Sequence, residues 1–292
     1  MSRATGRPYP VAMICEVYRL PRSTFYTHRE ADGEPVRPLG KRGPKTRWPD
    51  EEVLEGILQV ILESPFLSEG HRKVRVRLRP LGMRVGKDRV RRLMRENNLL
   101  APSRCRHTHG DRSHSGTIQT DRPNELWGTD ATRFYTRQDG WCWFFGAIDH
   151  GVNDIVGWHV AKKGDRWAAL EPIRQGIRRH YPGYSPKIAL GLGLRHDWGP
   201  QYVANQFLGE LKWLGIRSTP AYVEEPQCNG IIERWMRTLK EECLYLHDFE
   251  SLEDARRIMG EFIERYNREW LIERHGHRTP NEVRESFARE AA

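Results

Sequence analysis

The chain has 292 residues, a formal net charge of +9, 38% hydrophobic and 30% charged residues, and ten tryptophans. That length holds two or three small units and a sizeable core, and the aromatic content excludes wholesale disorder despite a mean hydropathy of -0.74. No apolar run of about eighteen residues is present, which excludes a helical membrane span, and the opening "MSRATGRPYP" predicts no secretory signal.

The charge is unevenly spread. Residues 1–120 hold 24 Lys and Arg against 13 Asp and Glu, a surplus of 11, whereas the remaining 172 hold 24 against 26. A basic segment joined to a near-neutral one predicts phosphate binding by the first and a different task for the second. The five cysteines (15, 105, 142, 228 and 243) are odd in number and lack a CxxC spacing, which fits a reducing cytoplasm rather than a disulfide framework. "CRHTHGDRSH" (105–114) gathers one cysteine and three histidines but has no second ligand pair, so a solvated linker is the expectation there.

In chain order, residues 1–30 read as a short helix-turn-helix-like segment. Val11, Ile14, Cys15 and Tyr18 share a face, Pro21 interrupts, and Ser23 can cap "STFYTHR". Residues 31–50, dense in Pro, Gly and cations, read as a linker. A second helical unit is expected over 51–105, where Val53, Leu54, Ile57, Leu58, Ile61 and Leu62 repeat at helical spacing. Between 71 and 95 stand eleven Lys or Arg and one acid, Asp88. With a turn at Gly82, that density predicts a basic helix-turn-helix that binds DNA through Lys73, Arg75, Arg89, Arg92 and Arg95. Val90, Leu93, Met94 and Asn97 are expected to face inward.

Residues 106–120 read as a second linker, and the pattern then changes to strands. "NELWGTDATRFYT" (124–136), "WCWFFGAIDHGV" (141–152) and "DIVGWHVAKK" (154–163) are aromatic and β-branched runs that predict two antiparallel hairpins. A helix over 166–180, an apolar run over 187–197, a helix over 200–215, a short strand over 216–221 and helices over 228–245 and 251–270 follow. The expected core, 121–288, is an α/β mixed sheet flanked by helices, preceded by the small all-α units. It carries neither GxGxxG nor P-loop.

"NGIIERWMRTLKEE" (229–242) sets Asn229, Glu233, Arg237 and Lys240 along one helical stripe. Glu233 is either an ion-pair partner of Arg237 or a metal ligand beside a basic track. Asp197, before "WGPQY", either caps the next helix or is a ligand, and Asp130 in "LWGTDAT" is either an ordinary strand residue or a ligand. Asp149, at the end of "FFGAID", fits a fourth acid near the site or a structural role at a hairpin tip.

"WGTD", "RHDWGPQY" and "CNGIIERWMRTLKEE", in that order, resemble the DDE triad of retroviral-type integrases and insertion-sequence transposases. The likeness is greatest to the second-reading-frame transposases of a large bacterial insertion-sequence family. The 35 residues between Asp197 and Glu233 match that family's spacing, and "SEGHRKVRVRLRPLGMRVGKDRVRRLMRENNLLAP" is similar to the helix-turn-helix module before its core. The sequence departs from the pattern at Cys228, where the family often has an acid, and at Trp198, where a small, polar or basic residue is common.

The resemblance implies an RNase H-like integrase core holding two Mg²⁺ or Mn²⁺ ions. Asp130, Asp197 and Glu233 would be both the catalytic and the metal-binding residues, with Arg237 and Lys240 on DNA and Asn229 and His196 positioning substrate or water. It implies Mg²⁺-dependent strand cleavage and 3′-OH strand transfer at element ends, on double-stranded DNA, by a homo-multimer. Relatives are often made by frameshifting as a fusion with an upstream frame. A cytoplasmic, nucleoid-associated protein with no membrane partner is expected. The rival expectations are a non-catalytic DNA-binding regulator and an RNase H-like nuclease that cuts without joining.

Overall fold

The computed structural model describes residues 6–31, 47–102, 120–220 and 229–290, with side chains from 27 to 31 left aside. The expected linker at 106–120 falls almost wholly outside them, as do the Cys105–His114 stretch, Cys228 and most of the linker at 31–50. Chain contacts divide the protein into residues 1–47 and 48–292. In the first unit, α1 (Val11–Val17) and α2 (Arg22–Ala31) flank Pro21, and Cys15 is buried.

The second unit begins with three helices, α3 (Asp50–Glu63), α4 (His71–Arg77) and α5 (Lys87–Glu96). They enclose a small core of Val53, Ile57, Val60, Val74, Leu78, Val90, Leu93 and Met94. Gly82, at φ +78°, makes the left-handed turn between α4 and α5 that L-residues resist.

A five-stranded sheet follows, in the order β3-β2-β1-β4-β5. β1 (Leu126–Thr136), β2 (Gly140–Asp149) and β3 (Ile155–Ala161) form the two expected antiparallel hairpins. β4 (Gly193–His196) lies parallel to β1, and β5 (Arg217–Pro220) parallel to β4. α6 (Arg166–His180) and α7 (Asn205–Leu214) cover one face around Trp127, Phe145, Leu170 and Phe207. α8 (Gly230–Glu242) and α9 (Leu252–Glu269) cover the other around Phe134, Phe144, Trp235 and Phe262. Helices on both faces explain why β2 reads as a continuous apolar run. The mixed sheet with two helical layers is the RNase H-like arrangement expected.

Two boundaries differ from expectation. Residues 187–192 are turns, so β4 has only four residues, and α7 starts at Asn205 because 200–204 form turns after Asp197. α10 (Pro280–Glu290) is an additional helix. It buries little apolar surface, and Arg284 anchors it by donating to Asp154 (2.6 and 2.8 Å) and Asp149 (2.9 Å). No helix of the described residues is long and apolar enough to cross a membrane.

The three-helix unit docks on the sheet layer through the 64–70 loop. Phe66 enters the α8–α9 core and meets Trp270 edge-on at 4.9 Å. Glu242, at the end of α8 and 7% exposed, accepts from the backbone N–H groups of Leu67 (2.8 Å) and Ser68 (3.0 Å) and from the Ser68 hydroxyl. Arg77 grips buried Glu69 with two bonds (2.6 and 2.7 Å) and reaches the Glu269 carbonyl (3.1 Å). Glu242→Ala strands these donors and is expected to lower stability by about 1–3 kcal/mol. Urea unfolding measures it; an unchanged midpoint would remove Glu242 from the docking contact.

Candidate active site

Asp130 lies mid-way along β1, directly opposite Gly146 of β2. Opposed residues of an antiparallel pair share a face. A Cβ on Gly146 would stand 3.1 Å from Trp235 and 3.5 Å from Met236, so this is the face that carries α8. Asp197 enters from the other side. β1 and β4 pair Leu126 with Gly193, Trp127 with Leu194 and Gly128 with Arg195. Asp197 follows the end of β4 on the side of β1 away from β2, and its charge reaches Asp130.

Glu233 comes from α8, whose start is tied to β1. Asn229 is the N-cap residue, but its side chain caps nothing; its amide donates instead to the carbonyl of Thr129, next to Asp130 (3.3 Å). One helical turn later stands Glu233. Asp197 and Glu233 thus lie near enough to Asp130 for their charges to act on it, with Asp130 half-buried and Asp197 and Glu233 exposed.

Their charges are felt. Burial pushes the Asp130 carboxyl up to about 6, and Asp197 and Glu233 push in the same direction, against the Ala131 N–H and Lys240. Burial also raises Glu233, opposed by Arg237. Carboxylates crowded without a matching cation are what a small divalent ion relieves, and Mg²⁺ takes oxygen ligands, completing its shell with waters and phosphate oxygens. In chemistry the donor set fits such an ion. Its geometry is open: among the described residues no three His, Cys, Asp or Glu side chains stand close enough to share one.

His196 and Tyr202 back the site. His196 is 1% exposed; its ring nitrogens lie 2.7 Å from the Asp197 carbonyl and 2.8 Å from the Ser218 hydroxyl, binding the end of β4 to β5. Both ring nitrogens are therefore occupied within the protein. Fully buried Tyr202 stacks on that imidazole (5.8 Å), and burial, with Asp130 and Asp197 near, raises its phenol. Asp197 Oδ1 accepts from the Gly199 N–H (2.9 Å).

Two residues escaped the sequence reading, Gly128 and His150. A Cβ on Gly128 would stand 2.5 Å from His150 Nε2 and 3.0 Å from Asn229 Oδ1. His150 is 2% exposed, and neither ring nitrogen has a hydrogen-bond partner, nor has Asn229 Oδ1. Glycine at 128 is what lets these groups approach the strand two residues from Asp130. The "WG" of "WGTD" carried that signal.

Asp149 resolves to its structural alternative. It pairs with Trp127 across the strands and so shares Trp127's face of the sheet, away from Asp130. It is fully buried and accepts from Asn124 N (2.7 Å), Gly151 N (2.7 Å) and Arg284.

Of the expected phosphate contacts, Arg237 is exposed on α8 and Lys240 is close enough to act on Asp130. On the helical unit the expectation needs correction. Arg89 donates to Asp50 and to the Trp48 carbonyl (both 2.7 Å), and Arg92 to Asp50 (2.6 Å) and Glu96 (2.9 Å), so both fasten α5 to the start of α3 instead of facing outward. Lys73 lies 3.0 Å above the Trp270 ring, and Arg75 is half-buried. The exposed stripe of α5 is Lys87, Arg91 and Arg95, at spacings of four.

The chain matches two family models, an HTH-like domain over residues 48–107 and an integrase core domain over 214–280, a span that contains Glu233. It is 26% identical over 268 residues to the protein described as transposase InsK for insertion sequence element IS150 of Escherichia coli K12, covering 89% of this chain and 88% of that one. It is 24% identical to the transposase for insertion sequence element IS629 of Shigella sonnei, covering 96% and 93%. The crystal structure of the catalytic core domain of BIV integrase superposes with a TM-score of 0.43 at 24% identity, over 58% of this chain and 99% of that one.

A pH test follows from Asp130. Its carboxyl rises from 3.8 to about 6 on folding, so between those values the metal-free folded state holds the extra proton. Stability therefore falls as pH rises through that window, by up to about 3 kcal/mol, and is flat above it. Asp130→Asn is expected to flatten the slope and to exceed wild type in stability at pH 7.5, and urea midpoints on metal-free protein compare them. Equal slopes for the two proteins would count against the crowded-carboxylate description.

Proposed function

We propose that this chain, a polynucleotidyl transferase of the DDE class related to the insertion-sequence transposases, cuts DNA at element ends and joins the freed 3′-OH to a target strand. The observation that supports this reading is that Asp197 and Glu233 act on Asp130, adding to the upward push that burial gives its carboxyl. Asp130, Asp197 and Glu233 would hold two Mg²⁺ or Mn²⁺ ions. Bound there, such ions supply activation of the attacking oxygen and stabilisation of the leaving one.

The protein's own side chains do the rest. Asn229 and the buried face of α8 hold Glu233 against β1, and His196 holds the strand end that leads to Asp197. Arg237 and Lys240, on the same stripe as Glu233, would receive phosphates of the strand being cut. A water attacking phosphorus in line leaves a 3′-OH. That hydroxyl attacking a second phosphodiester forms one P–O bond as another breaks, and so no covalent enzyme intermediate is required.

The helical unit 51–105, with the 1–30 segment before it, would bind duplex DNA. Lys87, Arg91 and Arg95 form its exposed phosphate-contacting stripe, and Gly82 turns the chain into α5 as in a helix-turn-helix. Joining two ends calls for a multimer on paired DNA, and fusion to an upstream-frame protein fits the same reading. Work on DNA fits a cytoplasmic, nucleoid-associated protein.

Glu233→Gln is expected to leave DNA affinity within about twofold, since the amide keeps the shape and loses only the charge, while metal-dependent strand transfer falls to background. Products bearing new phosphodiester joints are the readout. Undiminished joining by the variant would sink the triad, and nicks without joints from wild type would favour a nuclease.

Binding is expected to weaken steeply with salt. Arg91→Ala and Arg95→Ala should each reduce the slope of log affinity against log salt by about 1, as the loss of one phosphate contact does. An unchanged slope in both would move the duplex contact off α5.

A further inference from the structure

The outer end of the β1–β2 hairpin carries a column of flat side chains on the sheet face opposite Asp130. Arg133 is paired with Trp143, and Tyr135 with Trp141. Residues opposed across the strands, or two apart along one, share a face. Phe145, Trp143, Arg133, Trp141 and Tyr135 therefore follow one another outward. Phe145 and Trp143 stack at 6.1 Å and 22°. The Arg133 guanidinium lies over both Trp143 (5.6 Å) and Trp141 (4.9 Å). Tyr135 meets Trp141 edge-on at 5.7 Å. The column starts fully buried at Phe145 and ends with Trp141 58% and Tyr135 54% exposed.

A basic loop runs alongside. A Cβ on Gly164 would come within 2.5 Å of the Trp143 ring, which places the stretch from Lys162 to Arg166 against the column. The acids beside it are engaged: Asp139 of the β1–β2 turn with Lys162 (3.5 Å), and Asp165 in capping α6 through the Trp167 and Ala168 N–H groups (both 3.0 Å). Lys163, Arg166 and Arg133 add positive charge beside exposed rings.

Isolated exposed aromatics are ordinary. A guanidinium layered between indoles, with open rings beyond and cations at the rim, has the chemistry that takes unpaired bases: rings stack on bases, and cations meet the phosphates between them. Tryptophan, tyrosine and arginine also anchor protein interfaces, but there the surrounding cations would need acids on the partner. Arg133 stands three residues from Asp130, roughly 10 Å along β1 but on the other face of the sheet, so the hairpin column is a surface separate from the carboxylates.

We propose that this hairpin face is a stacking platform for an unpaired stretch of DNA, with Trp141 and Tyr135 receiving bases and Arg133, Lys163 and Arg166 meeting phosphates. It rests on the DNA reading above and names where single-stranded substrate is held.

The test measures affinity of the full chain for a labelled single-stranded oligonucleotide and for the duplex made from it, by fluorescence anisotropy without divalent metal. Trp141→Ala and Tyr135→Ala are each expected to weaken single-strand binding about tenfold while duplex affinity changes less than about twofold. Trp141→Phe, which keeps a ring, is expected to restore most of the loss. If wild type binds neither probe, the DNA reading fails and the platform with it. If wild type binds both and the alanine variants weaken neither, or both equally, the platform is overturned while the DNA reading stands. If Trp141→Ala instead abolishes self-association in sedimentation with single-strand affinity unchanged, the face is a contact between copies and the proposal is overturned.

Discussion

α8 is the constraint on which the rest of the molecule depends. Its apolar side, Ile232, Trp235, Met236 and Leu239, is buried in the larger core, so the helix has one rotational setting against the sheet. Asn229 fixes its first turn to the Thr129 carbonyl, and Glu242 fixes its last to the loop of the three-helix unit. With both ends and one side held, the remaining stripe has no freedom to choose its neighbours. Glu233 and Lys240 project from it close enough to act on Asp130.

Among the described residues, two groups of carboxylates stand in contrast. Asp149 and Asp154 are buried outright and share the Arg284 guanidinium, whose planar fork donates to both. That cluster is closed, and it pins α10 to the hairpin end. Asp130, Asp197 and Glu233 are more open to solvent and have no comparable partner: Arg237 acts on Glu233, and Lys240 is the weakest influence on Asp130. On the reading proposed above, the first cluster is neutralised within the fold and the second is left for a charge that arrives from outside.

Much of this was legible in the sequence. The aromatic and β-branched runs gave both hairpins, and the spacing of the three acids, read by resemblance, pointed to Asp130, Asp197 and Glu233, whose charges act on one another in the fold. The failures have physical causes. α10 is held by ion pairs more than by an apolar stripe, so periodicity missed it. Charge density alone predicts that Arg89 and Arg92 face outward; Asp50, some forty residues earlier, draws both toward the start of α3. Lys87, Arg91 and Arg95 repeat every four residues, and the count of cations hid that stripe. His150 could not be found from its own surroundings in the sequence, since its place depends on the missing Cβ of Gly128 on β1.

The route from the basic helix to the carboxylates follows from the same contacts. Glu242 and Glu233 are nine residues apart on one helix, about 13 Å along its axis. The three-helix unit grips the first of these residues, and the second acts on Asp130. Phe66, Lys73 and Arg77 add contacts on the Trp270 side, so the unit meets the core through packed rings and satisfied donors. The span between the α5 stripe and Glu233 is therefore set by helix geometry and side-chain packing. A duplex held on α5 would thereby meet the carboxylates at a fixed distance.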